Sequence, residues 1–152
     1  AVTLDGGPLG AHRPCRVQYL NQNPELAVNP RWRMERILTE CWPVDERTRR
    51  ALGIEPGWLG RFPGELSGGE LQRFCIARAL HPRLRHLVAD EMTTMLDPIT
   101  QALIWSRLVG LIRERGIGLL VITHNPALAG RLCDDIIRLE RINHLDPDES
   151  RP

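Results

Sequence analysis

Asp90 and Glu91 stand side by side directly after the apolar run Leu87-Val88-Ala89, and His124 follows a second apolar run, Leu119-Leu120-Val121-Ile122. Ligand sites in open parallel sheets form at the carboxyl ends of strands, so both acids and the histidine are candidates for one site. An aspartate in that position can hold Mg²⁺, a hard cation that wants carboxylate and water oxygens. An adjacent glutamate can orient or deprotonate a water for in-line attack on a phosphate. A histidine beside the same phosphate can donate a hydrogen bond to the charge that develops there. A third candidate is Leu66-Ser67-Gly68-Gly69-Glu70-Leu71-Gln72-Arg73. Ser67 followed three residues later by Glu70 is a capping box, which opens a helix. Two glycines in that first turn let its N–H groups come close to another molecule. A helix N-terminus with a serine hydroxyl beside it suits an anion, most often phosphate. Taken singly, each feature also has a purely structural reading: two acids ending a strand, a loop histidine, a well-capped helix. Gln22, in the polar loop Asn21-Gln22-Asn23-Pro24, reads by itself as a solvated turn residue. It is the joint occurrence that favours phosphate chemistry.

The elements that must position these residues follow in chain order. Ala1 to Leu4 reads as a short strand running into the turn Asp5-Gly6-Gly7-Pro8, and Arg16 to Leu20 as a second strand. From Pro30 the pattern is helical, with Trp32, Ile37, Leu38 and Trp42 as its apolar members, until Pro43 stops it. Asp45-Glu46-Arg47 starts a short helix to about Leu52, whose Arg47, Arg49 and Arg50 form a solvated face. The capped helix beginning at Ser67 presents Leu71, Phe74, Cys75 and Ala79 on one apolar face and ends near His81-Pro82. His86 enters the strand that delivers Asp90 and Glu91. Asp97-Pro98 reads as an N-cap with proline at the first helical position, and that helix buries Ile104, Leu108, Leu111 and Ile112 before stopping near Gly116. A short helix from Pro126 to Cys133 and a last strand from Ile136 to Leu139 complete the pattern, with a polar tail from Arg141. Apolar strands alternating with helices over residues 81–140 predict a parallel sheet covered on both faces, hence an α/β fold.

The 152 residues make one domain by length, and a formal charge of +1 argues against a general polyanion binder. All 20 basic residues are arginine; the chain contains no lysine. Cys15, Cys41, Cys75 and Cys133 show neither C-x-x-C pairing nor zinc-ligand spacing, which suits thiols in a reducing compartment. No apolar run is long enough to cross a bilayer, and a soluble, cytoplasmic protein is expected.

Together the motifs resemble those of the ATP-binding subunit of ATP-binding cassette (ABC) transporters, over nearly the whole chain. Leu66-Ser67-Gly68-Gly69-Glu70 is similar to the family's signature motif, and Leu87-Val88-Ala89-Asp90-Glu91 to its Walker B strand with the catalytic glutamate. Met95-Leu96-Asp97 resembles the D-loop, and His124 in Val-Ile-Thr-His-Asn the switch histidine. The resemblance gives Gln22 a role as the Q-loop glutamine that senses Mg²⁺ and the γ-phosphate. Residues 22–31 are similar to the Q-loop of the oligopeptide, dipeptide and nickel importer branch.

The resemblance implies an incomplete P-loop NTPase-like sheet flanked by helices, with residues 1–29 and 81–140 as parts of the α/β core. Residues 30–80 would form a helical subdomain carrying the signature motif, and 141–152 a tail. It implies ATP and Mg²⁺ as cofactors, with Glu91, His124 and Gln22 catalytic and Asp90 and Gln22 on the metal. Ser67, Gly68, Gly69 and Glu70 would serve ATP held by a second cassette subunit, homo- or heteromeric, with Asp97 in the D-loop between them. Transmembrane permease subunits are the other implied partners, holding the protein at the inner face of the cell membrane; nucleic acid is not expected. Met92 departs from the proline usual after the acidic pair. The larger departure is the phosphate-binding loop: no G-x-x-x-x-G-K-[S/T] occurs here. The expectation is therefore a C-terminal portion of a longer subunit, inactive alone, with apolar sheet surface left uncovered and poor solubility. Two alternatives stay open: the ATPase head of a DNA-repair or chromosome-maintenance protein, and a degenerate cassette that keeps only the trans-acting signature.

Overall fold

The computed structural model describes residues 14–139, together with the backbone of two short strands, β1 (Thr3–Leu4) and β2 (Gly7–Pro8), which pair antiparallel. The expected polar tail lies outside the described residues. At the centre is a three-stranded parallel sheet in the order β3 (Val17–Leu20), β4 (His86–Asp90), β5 (Gly118–Ile122). Its register sets Leu20 opposite Ala89 and Asp90 opposite Ile122, so all three strands release their chains at the same end. Residues in register on parallel strands share a face. One face therefore carries Leu20, Leu87, Ala89, Leu119 and Val121, and the other Tyr19, Val88, Asp90, Leu120 and Ile122.

The first face is the one that packs. Against it lies the core, whose centre is α3 (Gly68–Ala79), a helix touching α1 (Met34–Leu38), α2 (Glu46–Leu52), α4 (Pro98–Arg115) and β3. The expected apolar stripe Leu71, Phe74, Cys75 and Ala79 is buried, and so are Ile76 and Ala77 on the other sides. Such a helix is walled in nearly all round, which a single amphipathic stripe does not anticipate. Leu87 and Ala89 of β4 are fully covered, as are Ile104 and Leu108 of α4.

The second face corrects the expectation of a sheet covered on both sides. Leu120 and Ile122 are 55% and 44% exposed, Tyr19 is 55% exposed, and Leu119 and Val121 on the opposite face of β5 are only half-buried. A continuous apolar run marks a strand built for two covers, and among the described residues only one cover is present. The expected strand at Ile136–Leu139 is absent too; these residues are irregular, with Ile136, Ile137 and Leu139 exposed. No described strand pairs with them, and a strand without a partner leaves its backbone groups to water. The helix expected from Pro30 to Pro43 shrinks to α1, with Thr39 at its C-cap, where the hydroxyl bonds back to the carbonyls of Glu35 (3.0 Å) and Arg36 (3.4 Å). Trp42 is still buried, its indole N–H donating to the Arg78 carbonyl at 3.0 Å.

Helix ends follow the sequence signals closely. Asp45 caps α2 by accepting from the Thr48 amide at 2.6 Å, and Asp97 caps α4 by accepting from Ile99 and Thr100 at 3.1 and 3.0 Å. Asn125 caps α5 (Pro126–Leu132) in the same way. At α2's other end Gly53 has φ 68°, where a side chain would also run into the Arg107 guanidinium. Arginines reach carbonyls that the helices cannot satisfy themselves. Arg107 donates to Leu52 (2.8 Å), Arg73 to Gly53 (3.0 Å), Arg115 to Leu80 (2.8 Å) and Arg78 to Ala27 (2.7 Å). Among the described residues no helix is long and apolar enough to cross a membrane.

Candidate functional site

The chain leaves β4 by a sharp turn at Glu91, whose φ of 46° makes it the only non-glycine in the left-handed region among the described residues. That conformation costs roughly 1–2 kcal/mol for a residue with a Cβ. The Glu91 amide still donates to the Ile122 carbonyl of β5 at 3.0 Å, so the turn is stitched to the neighbouring strand. Its side chain is thereby delivered to the end of β5. One carboxylate oxygen lies 2.7 Å from the His124 amide and 2.6 Å from His124 Nδ1; the other accepts from the Thr94 hydroxyl. Burial pushes the Glu91 carboxyl up, but the hydrogen bonds from Thr94 and His124 outweigh it, and the net shift is downward. Glu91 is therefore an ionised acceptor at neutral pH.

Asp90 points to the open face of the sheet, where the Tyr19 hydroxyl donates to its Oδ2 at 2.5 Å. That bond, followed by desolvation and the nearby charge, raises the Tyr19 phenol above its ordinary value. Gln22 lies two residues beyond the end of β3, in an exposed loop that leaves the sheet at the same end as the acids. Among the described residues its side chain makes no hydrogen bond to either acid. Glu91 and His124 share a cavity of about 200 Å³ with Met92, Thr93, Gln101 and Trp105. Met92 is buried and lines the same cavity, so the departure from proline is accommodated by packing.

A second hollow, of about 420 Å³, gathers Ser67, Gly68, Gly69 and Glu70 with Met95, Leu96, Asp97 and Thr100. The capping box is complete: the Glu70 amide donates to Ser67 Oγ at 3.3 Å and the Ser67 amide to the Glu70 carboxylate at 2.7 Å. The amides of Gly68 and Gly69, in the first turn of α3, have no carbonyl four residues back within the helix. Gly69 serves packing as well, since a Cβ there would sit 2.7 Å from Thr100 Cγ2. Thus the predicted site residues divide between two places, Asp90, Glu91, His124 and the Gln22 loop at the sheet end, and the serine-glycine tip with Asp97 elsewhere.

The chain was compared with known proteins. No family model matches it. It is 38% identical over 158 residues to the nickel import ATP-binding protein NikE of Rhodospirillum rubrum, a match covering 91% of this chain and 57% of that one. The nickel import ATP-binding protein NikD of the same organism is 40% identical over 150 residues, covering 89% and 58%. Among solved structures, the post-hydrolysis dimer of the ATP-binding cassette MJ0796 bound to ADP and Pi superposes with a TM-score of 0.59 at 25% identity, covering 74% of this chain and 54% of that one.

The chain belongs to the ATP-binding cassette family.

It also matches a probable D,D-dipeptide transport ATP-binding protein, DdpF of Escherichia coli, at 37% identity over 79% of its length and 43% of that protein's. The chain thus spans rather more than half the length of the nickel-import relatives it matches. Nickel import, peptide ABC transport and D,D-dipeptide transport are the relatives' own descriptions, in line with the resemblance. The cassette's fold is the α/β arrangement expected. Sequence reasoning missed Tyr19, Thr93, Thr94 and Trp105 as neighbours of the acids. Thr94 had as a signal only its place three residues after an acid, and its bond to the carboxylate needs the positive φ at Glu91. Tyr19 had none until strand register placed it beside Asp90.

Proposed function

We propose that this chain carries the water-activating half of an ATP site and the signature half of another, within the energy-coupling ATPase of an importer for peptides or nickel chelates. The observation that carries the reading is the hydrogen-bonded Glu91–His124 pair next to Asp90 at the carboxyl end of a parallel sheet. Bound Mg·ATP would supply the phosphoryl electrophile and the cation that neutralises it. The donor set fits: Asp90 and Gln22 offer the hard oxygens Mg²⁺ takes, one or two from protein and the rest from phosphate and water. Glu91, ionised, accepts a proton from the attacking water and fixes its line of approach. In its imidazolium form His124 donates from Nδ1 to Glu91 and from Nε2 to a γ-phosphate oxygen. The Ser67 hydroxyl and the Gly68 and Gly69 amides bind the triphosphate of a second cassette, with Asp97 in the loop between the two sites. Within the helical subdomain of residues 30–80, the part over 30–65 grips permease subunits, together with the Gln22 loop, at the inner face of the membrane. Those contacts would make the protein peripheral on the cytoplasmic side.

No lysine and no phosphate-binding loop occur within these 152 residues, so the chain alone is proposed to hold ATP weakly and not to turn it over. Phosphate release by the purified chain, followed with malachite green, is expected at background; ordinary cassette turnover would overturn that part. For the function itself, the chain is co-purified with its permease and with a cassette segment that supplies a lysine-bearing phosphate-binding loop, and the complex is assayed for ATPase activity. Glu91→Gln is expected to abolish hydrolysis in that complex while ATP binding survives. Undiminished hydrolysis in the variant would remove Glu91 from the chemistry and with it the reading.

A further inference from the structure

We propose that Thr94 is a positioning residue that clamps Glu91, its hydroxyl holding one carboxylate oxygen while the other faces His124. The inference deepens the hydrolytic reading above and rests on it for its functional consequence.

Three observations carry it. Glu91 sits in a backbone conformation it does not favour, so its side-chain direction depends on what holds the turn closed. The turn is closed twice by the same residue: the Thr94 amide donates to the Glu91 carbonyl at 3.1 Å, and the Thr94 hydroxyl donates to the Glu91 carboxylate. The residue before it is anchored firmly. Thr93 is buried, its hydroxyl accepts from the Trp105 indole N–H at 3.0 Å, and its carbonyl accepts from the Gln101 amide at 2.7 Å. Trp105 is itself 3% exposed, so the peg that fixes Thr93 is a rigid one. Thr94 therefore approaches Glu91 from a backbone locked onto α4, while His124 approaches from β5. The carboxylate is gripped between two independently supported elements, as a group needs when its line of approach to a water matters. Without the hydroxyl the Glu91 side chain keeps the His124 contact only and gains a torsional freedom that the turn no longer suppresses.

Thr94 is exposed, so Thr94→Val removes the hydroxyl at constant shape with little risk to folding, and Thr94→Ser restores it. Two readouts decide. By NMR on the 152-residue chain, the His124 backbone amide, which donates to the same carboxylate, should move upfield and exchange faster in Thr94→Val and stay as in the parent in Thr94→Ser. In the permease-bound complex, kcat should fall on the order of ten- to a hundred-fold in Thr94→Val with KM unchanged, and recover in Thr94→Ser. An unmoved His124 amide in Thr94→Val overturns the clamp. A moved amide with unchanged kcat overturns the positioning role. If the parent complex itself hydrolyses no ATP, the hydrolytic reading fails, whereas the amide comparison still decides the clamp.

Discussion

The helix α3 and the strand β5 are both apolar stretches of one chain, and they meet opposite fates. α3 lies inside: Leu71, Phe74 and Ile76 are at most 1% exposed, and three other helices and a strand pack around it. β5 lies at an edge, with Leu120 and Ile122 turned to solvent and its other face half-covered. The difference is one of closure. α3 is completed by elements adjacent in sequence, with its own caps and arginines from its neighbours, whereas β5 is finished on one side and one edge only. The helical half is thus built to be stable in itself, and the strand ends beside it are built to present chemistry.

The sharpest test of that contrast is Phe74→Ala. Phe74 is fully buried and packs obliquely on Trp58 with ring centroids 6.5 Å apart, so its truncation should cost about 3–5 kcal/mol in urea unfolding. A loss below about 1 kcal/mol would mean that α3 is not the centre of the core. A smaller effect is expected at the rim of the same half. Asp45→Ala should cost about 1 kcal/mol at neutral pH, because it removes the N-cap of α2. The Thr48 amide bonded to the Asp45 carboxylate lowers its pKa in the folded chain, against a lesser upward push from burial. With the folded pKa below the unfolded one, the stabilisation is complete above the unfolded value and is lost as pH falls through the folded value. The gap between parent and variant should therefore close in acid; a constant gap would mean the carboxylate is not the cap. The smallest change belongs to β5. Leu120→Thr should alter stability by no more than about 0.5 kcal/mol while reducing self-association in light scattering. A loss comparable to that of Phe74→Ala would show that the outer face of β5 is covered in solution.

Much of this was legible in the sequence where the signal is local. Ser67 with Glu70, Asp45 with the helix to about Leu52, and Asp97-Pro98 with Gly116 mark helix ends, and the structure places these ends within a residue of expectation. The strand ends bearing Asp90 and Glu91 were equally plain, since an apolar run that stops at two acids has little other reading. What failed was non-local. The stretch Ile136 to Leu139 is apolar enough for a strand, but a strand exists only where a partner supplies its hydrogen bonds, and that is not written in four residues. The early end of α1 at Thr39 has no such local mark, since the apolar residues Trp32, Ile37, Leu38 and Trp42 suit a longer helix. In the candidate site, the pairing of Glu91 with His124 follows from two adjacent parallel strands. The Tyr19 contact needed their register, and the grip of Thr94 needed the positive φ at Glu91.

The arginines carry a last consequence. Because Arg73 and Arg107 hold the end of α2 from α3 and α4, and Arg115 of α4 holds the end of α3, no one of these helices can fray without freeing a guanidinium lodged in another. Their amides should consequently exchange with deuterium together, as one cooperative block, with the three helices sharing a single opening event instead of unravelling one by one.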